Sequence, residues 1–236
     1  MNSVEKPERF KPTFENGGFW EYYMDLEHQF EGFLEYVPYL KGNRNTYSFR
    51  LANLIQSIGG YIDSAFKEVA KYHHFAQKHP KLLKKVTKGR PTITDYYVLA
   101  EDYRLSRKEV TFKCIPERVT LIPFKNYIKK GERVSTPSWW RVYNKVKHEF
   151  KDNFEKATLR NTRDALAAAF LLNMVHIPSA VRLCEFGLVT EDNEIVTDRD
   201  GFRDILINNK AGEFSFLIET PIFRYDFAHQ EVTSYE

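Results

Sequence analysis

Apolar side chains recur at three- and four-residue spacing along four stretches of the chain, and each stretch predicts a helix with one buried face. The first covers 19–36, where Trp20, Tyr23, Met24, Phe30, Phe33 and Leu34 form the stripe and Glu27 stands at a stripe position. It is expected to end before Pro38, since proline pushes the preceding residue out of helical backbone. The second follows a turn at 42–45 and covers 46–73, with Phe49, Leu51, Leu54, Ile55, Ile58, Ile62, Phe66, Val69 and Tyr72 in phase. Gly59 and Gly60 interrupt it, which predicts a close helix contact or a bend, because glycine is otherwise unfavourable inside a helix. The third covers 135–155. Ser135 or Thr136 is placed to cap it and Pro137 to open it, while Trp140, Tyr143, Val146, Phe150 and Phe154 draw its apolar face. The fourth, 157–175, is rich in alanine and leucine, as a helix buried on most sides would be, and stops at Pro178.

The period changes between the second and third helices. A short helix over 92–103, capped at Thr92 or Thr94, precedes two β-branched runs at 109–115 and 118–124 around Pro116 and Glu117, which predict a hairpin. Two more hairpins are expected after 186: 187–190 with 194–197, and 213–219 with 222–227 around Thr220 and Pro221. The hairpin at 109–124 is a candidate to join that C-terminal sheet. The fold class is therefore α+β and mainly α: a four-helix up-and-down bundle with a β-hairpin insertion and a small C-terminal antiparallel β segment. Its organisation reads as an N-terminal arm (1–18), the bundle (19–178) with the insertion at about 78–134, and a β-rich extension (179–236) packed on the bundle.

Charge changes this picture by its asymmetry. The 236-residue chain carries 35 basic and 32 acidic groups, but residues 185–236 hold only four of the basic groups and twelve of the acidic ones. The rest is thus a basic body, suited to a polyanion or to its own acidic tail. No apolar run approaches a membrane span, the longest being 165–172, and the first twelve residues are charged and proline-broken rather than signal-like. Cys114 and Cys184 lack metal-ligand spacing and read as reduced thiols, so the expectation is a cytoplasmic protein.

Candidate chemistry gathers on the third helix. Arg141, Asn144 and His148 stand three and four residues apart, so they return to nearly one line of the helix. An imidazole exchanges a proton near neutral pH, an arginine stabilises charge growing on a phosphate, and Asn144 is placed to orient the imidazole or hold a phosphate oxygen. Phosphodiester cleavage by a ribose 2′-hydroxyl needs those roles and no metal. The spacing RVYNKVKH over 141–148, on a helix followed by a buried Ala/Leu-rich one, resembles the HEPN (higher eukaryotes and prokaryotes nucleotide-binding) superfamily and its Arg-x4-6-His motif. That resemblance spans roughly 19–75 and 136–177. It implies a small helical bundle and catalytic roles for Arg141 and His148. It further implies metal-independent ribonuclease activity in defence or stress response, and a homodimer whose motif helices face each other.

A second group of candidates is basic. Residues 78–90 carry Lys78, Lys81, Lys84, Lys85, Lys88 and Arg90 with no acid. They read either as a phosphate-contacting loop or as a solvated connection; the scarcity of interleaved aromatics favours the latter. Lys81, Lys84, Lys85, Lys88 and Arg90, with Lys145 on the third helix, are the candidate nucleic-acid contacts. The alternative to catalysis is a non-catalytic interaction or nucleic-acid-binding module using the same face. Asp25, His28, Glu21 and Glu31 on the first helix lack a matching Glu-x-x-His elsewhere and read as solvated charge. Trp139 and Trp140 read as core or interface anchors rather than stacking platforms. Neither a metal nor a cofactor is expected, since no phosphate-binding loop, dinucleotide fingerprint or zinc motif occurs.

Overall fold

The computed structural model describes residues 18–89, 91–114, 118–191, 194–195 and 216–226. The N-terminal arm, Arg90, the tip of the first predicted hairpin and most of the acidic C-terminal segment lie outside them. Within the described residues the chain is mainly helical with a small antiparallel sheet. Helix α1 is Phe19–Leu34, α2 Phe49–Lys71, α6 Ser138–His148 and α8 Leu159–Val175. Helices α2 and α8 share the most extensive contact, α1 lies against both, and α6 packs on both as well. The capping chemistry is local: Ser48 Oγ accepts from Leu51 N at 3.1 Å to start α2, and Thr158 Oγ1 accepts from Asn161 N at 3.3 Å to start α8. Helix α8 is buried on nearly every side, as its alanine-rich sequence requires. No described helix is long and apolar enough to cross a membrane.

The third predicted helix is shorter than its periodicity suggests. Ser135 does not cap it; its hydroxyl instead donates to Asn126 O and, at 3.0 Å, to Ile128 O, next to the small hairpin of β3 (Lys129–Lys130) and β4 (Arg133–Val134). Pro137 therefore takes the N-cap position. At the other end Glu149 leaves the helical region (φ −136°, ψ 56°), and Asn153 Nδ2 holds its carbonyl at 3.0 Å. The chain restarts as α7 (Phe150–Asn153) and a 3-10 turn (Phe154–Lys156). An apolar stripe survives such a break because Phe150 and Phe154 still find a partner, the ring of Phe49.

The segment 78–90 is no open loop. It forms the end of α3 (His73–Lys78) and a helix α4 (Pro80–Lys88) with Pro80 at its first turn and Leu82 buried. The acids absent from its own sequence come from the short region before and within α5 (Tyr97–Asp102): Asp95 pairs with Lys85, and Asp102 pairs with Lys78 at 2.6 Å and His79 at 2.7 Å.

The sheet runs β2 (Val119–Leu121), β1 (Val110–Phe112), β8 (Phe223–Asp226), β7 (Phe216–Glu219), β5 (Val189–Glu191) and β6 (Glu194–Ile195), with every neighbour antiparallel. The insertion hairpin thus does join the C-terminal hairpins, with Thr111 opposite Arg224 and Phe112 opposite Phe223. Phe223 stacks on Phe170 of α8 at 5.5 Å, and Phe112 meets Phe30 of α1 at 6.5 Å, which fixes one face of the sheet on the helices. Helix α9 (Ile177–Glu185) connects α8 to β5.

Candidate functional site

Helix α6 divides into two faces. Trp139, Trp140, Tyr143 and Val146 are buried against α2 and α8, and the Trp139 indole N–H donates to Pro123 O at 2.8 Å. Both tryptophans are therefore anchors in the core. The opposite face carries Arg141, Lys145 and His148, all exposed, with Asn144 half-buried between them. None of the four side chains has a hydrogen-bond or ion-pair partner among the described residues. A rise of about 1.5 Å per residue separates the Arg141 and His148 backbones by about 10 Å. One helix thus presents a permanent cation, an amide, a second cation and a titratable imidazole in a row, held by a rigid buried back. Groups of these types in a row have the chemistry to hold a phosphate and to exchange a proton beside it.

The basic candidates do not form one patch with that row. Lys81, Lys84, Lys85 and Lys88 lie on α4, which packs against α2 and α3, whereas Lys145 belongs to α6. Lys85 is engaged by Asp95, while Lys81, Lys84 and Lys88 are exposed and have no partner among the described residues. An open pocket of about 480 Å³ lies at the start of α4, between Lys78, His79, Lys81, Leu82, Asp95 and Val98. Arg90 falls outside the described residues.

The candidates on α1 spread apart. Asp25 accepts from Gln29 Nε2 at 2.7 Å, His28 and Glu31 stand 3.8 Å apart in solvent, and Glu21 pairs with Arg182 at 3.4 Å. Among the described residues no three His, Cys, Asp or Glu side chains converge as metal ligands would. Cys114 is half-buried and Cys184 buried, and neither forms a disulfide.

The chemically unusual residues that periodicity passed over are buried. Glu27 is 1% exposed; Tyr23 OH donates to one carboxyl oxygen and Ile222 N to the other at 3.3 Å, and burial raises its pKa above the usual carboxylate value. His176 is 2% exposed, and its Nδ1 lies 2.8 Å from Ser179 Oγ and accepts Ser179 N, capping α9; burial pushes its pKa down to about 4. Tyr61 OH donates to Asn173 nearby, closing a polar cluster under α1. Arg163 on α8 is 4% exposed, donates to Asp164 and Tyr39, and lies 4.7 Å over the Tyr39 ring. The sequence signal for Glu27 was its place on an apolar stripe. His176 and Arg163 carry no comparable local mark, because the rings that cover them, Phe19 and Tyr72 for His176 and Tyr39 for Arg163, come from distant segments.

No family model, curated protein or solved structure matches this chain.

Proposed function

We propose that this is a HEPN-like protein acting on RNA, a metal-independent endoribonuclease that works as a cytoplasmic homodimer in defence or stress response. The supporting observation is the exposed, unpartnered row Arg141, Asn144, Lys145 and His148 on a helix whose other face is fully anchored. In this reading α1, α2, α6 and α8 form a four-helix up-and-down bundle that presents the row, and the insertion and C-terminal strands cover its other side.

His148 accepts the proton of a ribose 2′-hydroxyl as O2′ bonds to phosphorus. Arg141 stabilises the negative charge that grows on the phosphoryl oxygens, and Asn144 holds one of them. The P–O5′ bond then breaks, and O5′ takes a proton from the protonated imidazole facing it on a second copy. The products are a 2′,3′-cyclic phosphate and a free 5′-hydroxyl. Incubating a mixed RNA pool with purified protein in excess EDTA is the test, with His148→Ala and Arg141→Ala beside it. Cleavage by the wild type that both alanines abolish is the expected result; wild type that cuts nothing, or a His148→Ala protein that cuts as well, overturns it.

The exposed lysine row of α4 supports a second reading, a non-catalytic module that holds nucleic acid or a partner. RNA binding that Lys81→Glu and Lys84→Glu weaken, with no cleavage under any condition, would favour it.

A further inference from the structure

The break at Glu149 has an effect beyond shortening α6. It turns Phe150 and Phe154 onto Phe49, the first residue of α2, which is 63% exposed. The three rings lie nearly parallel: Phe49 and Phe154 are 4.9 Å apart at 13°, Phe49 and Phe150 6.2 Å at 13°, and Phe150 and Phe154 6.1 Å at 21°. Tyr47, 50% exposed, packs edge-on against Phe154 at 5.6 Å. Single exposed rings are ordinary on protein surfaces; here two exposed rings, Tyr47 and Phe49, continue into two half-buried ones, Phe150 and Phe154.

The backbone beneath them is fixed. Tyr47 bridges Thr158, Leu159 N donates to Thr46 O at 2.8 Å, Arg160 N donates to Arg44 O at 3.0 Å, and Ser48 caps α2. The rings are thus held in place before anything binds, which lowers the ordering cost of binding.

We infer, building on the RNA reading above, that Phe49 backed by Phe150 and Phe154 is a stacking platform for an unpaired base of the RNA substrate. The two observations that select this occupant are the flat, near-parallel rings and the charge beside them. Phe150 follows His148 by two residues, so a base on Phe49 sets its adjoining phosphate toward the end of α6. Exposed Lys145 lies in the last turn of α6 and exposed Lys151 on α7, with Arg141 one turn further back. The exposed acids Glu149, Asp152 and Glu155 lie on and after the break, while the row on α6 contains no acid. A polyanion meets the exposed Arg141 and Lys145 cations favourably. Stacking needs a base free of its pair, so the substrate class is single-stranded or looped RNA rather than duplex.

The test is fluorescence anisotropy with an uncleavable 2′-O-methyl single strand and its duplex, on wild type, Phe49→Ala and Phe49→Trp. We expect the alanine to weaken single-strand binding about tenfold. The tryptophan should preserve affinity, with its indole emission quenched on binding. Thermal melting of each variant checks that folding is intact, as expected for so exposed a ring. If the wild type binds the single strand and Phe49→Ala binds equally well, the platform is overturned and the RNA reading stands. If the wild type binds neither strand form, both fall. If Phe49→Ala instead turns a dimer into a monomer in sedimentation with RNA affinity unchanged, the rings belong to a contact between copies and the platform is overturned.

Discussion

Tyr143 of α6 occupies the space where Gly59 of α2 has no side chain. A methyl group on Gly59 would stand 2.3 Å from Tyr143 Cδ2 and 2.5 Å from Cε2 and Cγ, so the helix bearing the candidate site approaches α2 through that absence. Gly60 has nothing within 4 Å of the corresponding position. The paired glycines therefore do different jobs, and only the first is a contact.

This pair gives opposite expectations from one chemical change. Gly59→Ala forces Tyr143 off its position and should cost about 1–3 kcal/mol, as overpacking does. Gly60→Ala meets open space and improves helix propensity, so it should stabilise by about 0.5–1 kcal/mol. Urea unfolding of the two variants reads both; stabilisation by Gly59→Ala would contradict the contact.

Acid should destabilise the protein through His176. The unfolded imidazole takes its proton near its ordinary value of 6.5, the buried one only near 4, so between those values the unfolded state holds the extra proton. Stability from this group is complete above pH 6.5 and falls by about 3 kcal/mol as pH drops to 4. His176→Asn keeps a capping side chain without titrating there. Its unfolding free energy should lose that slope, and an unchanged slope between pH 6.5 and 4 would refute the assignment.

Glu27 works in the other direction. Its folded pKa is raised above the ordinary carboxyl value of 4.5, so the folded state holds the extra proton, and stability falls as pH rises through the folded pKa. Glu27→Gln keeps an acceptor for Ile222 N–H and removes the buried charge, and should gain stability relative to wild type toward neutral pH. Glu27→Leu strands the Tyr23 hydroxyl and the Ile222 amide, at a cost of about 1–3 kcal/mol for each group left unpaired. Denaturation curves at pH 4.5 and 7.5 separate the two variants.

The two faces of α6 should separate stability from activity. Arg141→Ala and His148→Ala remove exposed, unpartnered groups and should shift the unfolding free energy by no more than about 0.5 kcal/mol. Trp139→Ala, at 1% exposure and with its indole bonded to Pro123 O, should cost about 3–5 kcal/mol. Calorimetry on the three proteins measures this; a large loss with His148→Ala would mean the imidazole has a structural role.

Local pattern by itself located α1, α2, α8 and the body of α6, because burial of one face imposes a 3.6-residue period that each segment carries in its own residues. The core positions of Trp140, Tyr143 and Val146 and the alignment of Arg141 with His148 follow from neighbours a few residues away. The strand runs at 110–112, 119–121 and 223–226 were legible for the same reason. Only the tertiary structure decided which distant groups meet. It broke the 135–155 helix at Glu149, turned the lysine-rich 78–90 segment into a helix paired with Asp95 and Asp102, and paired β1 with β8 across more than a hundred residues. It buried Glu27 against Ile222 and left Phe49 in solvent although both stand on apolar stripes. A stripe records that a face seeks cover; the cover itself, and any charge or ring left beside it, depends on long-range packing that no local period encodes.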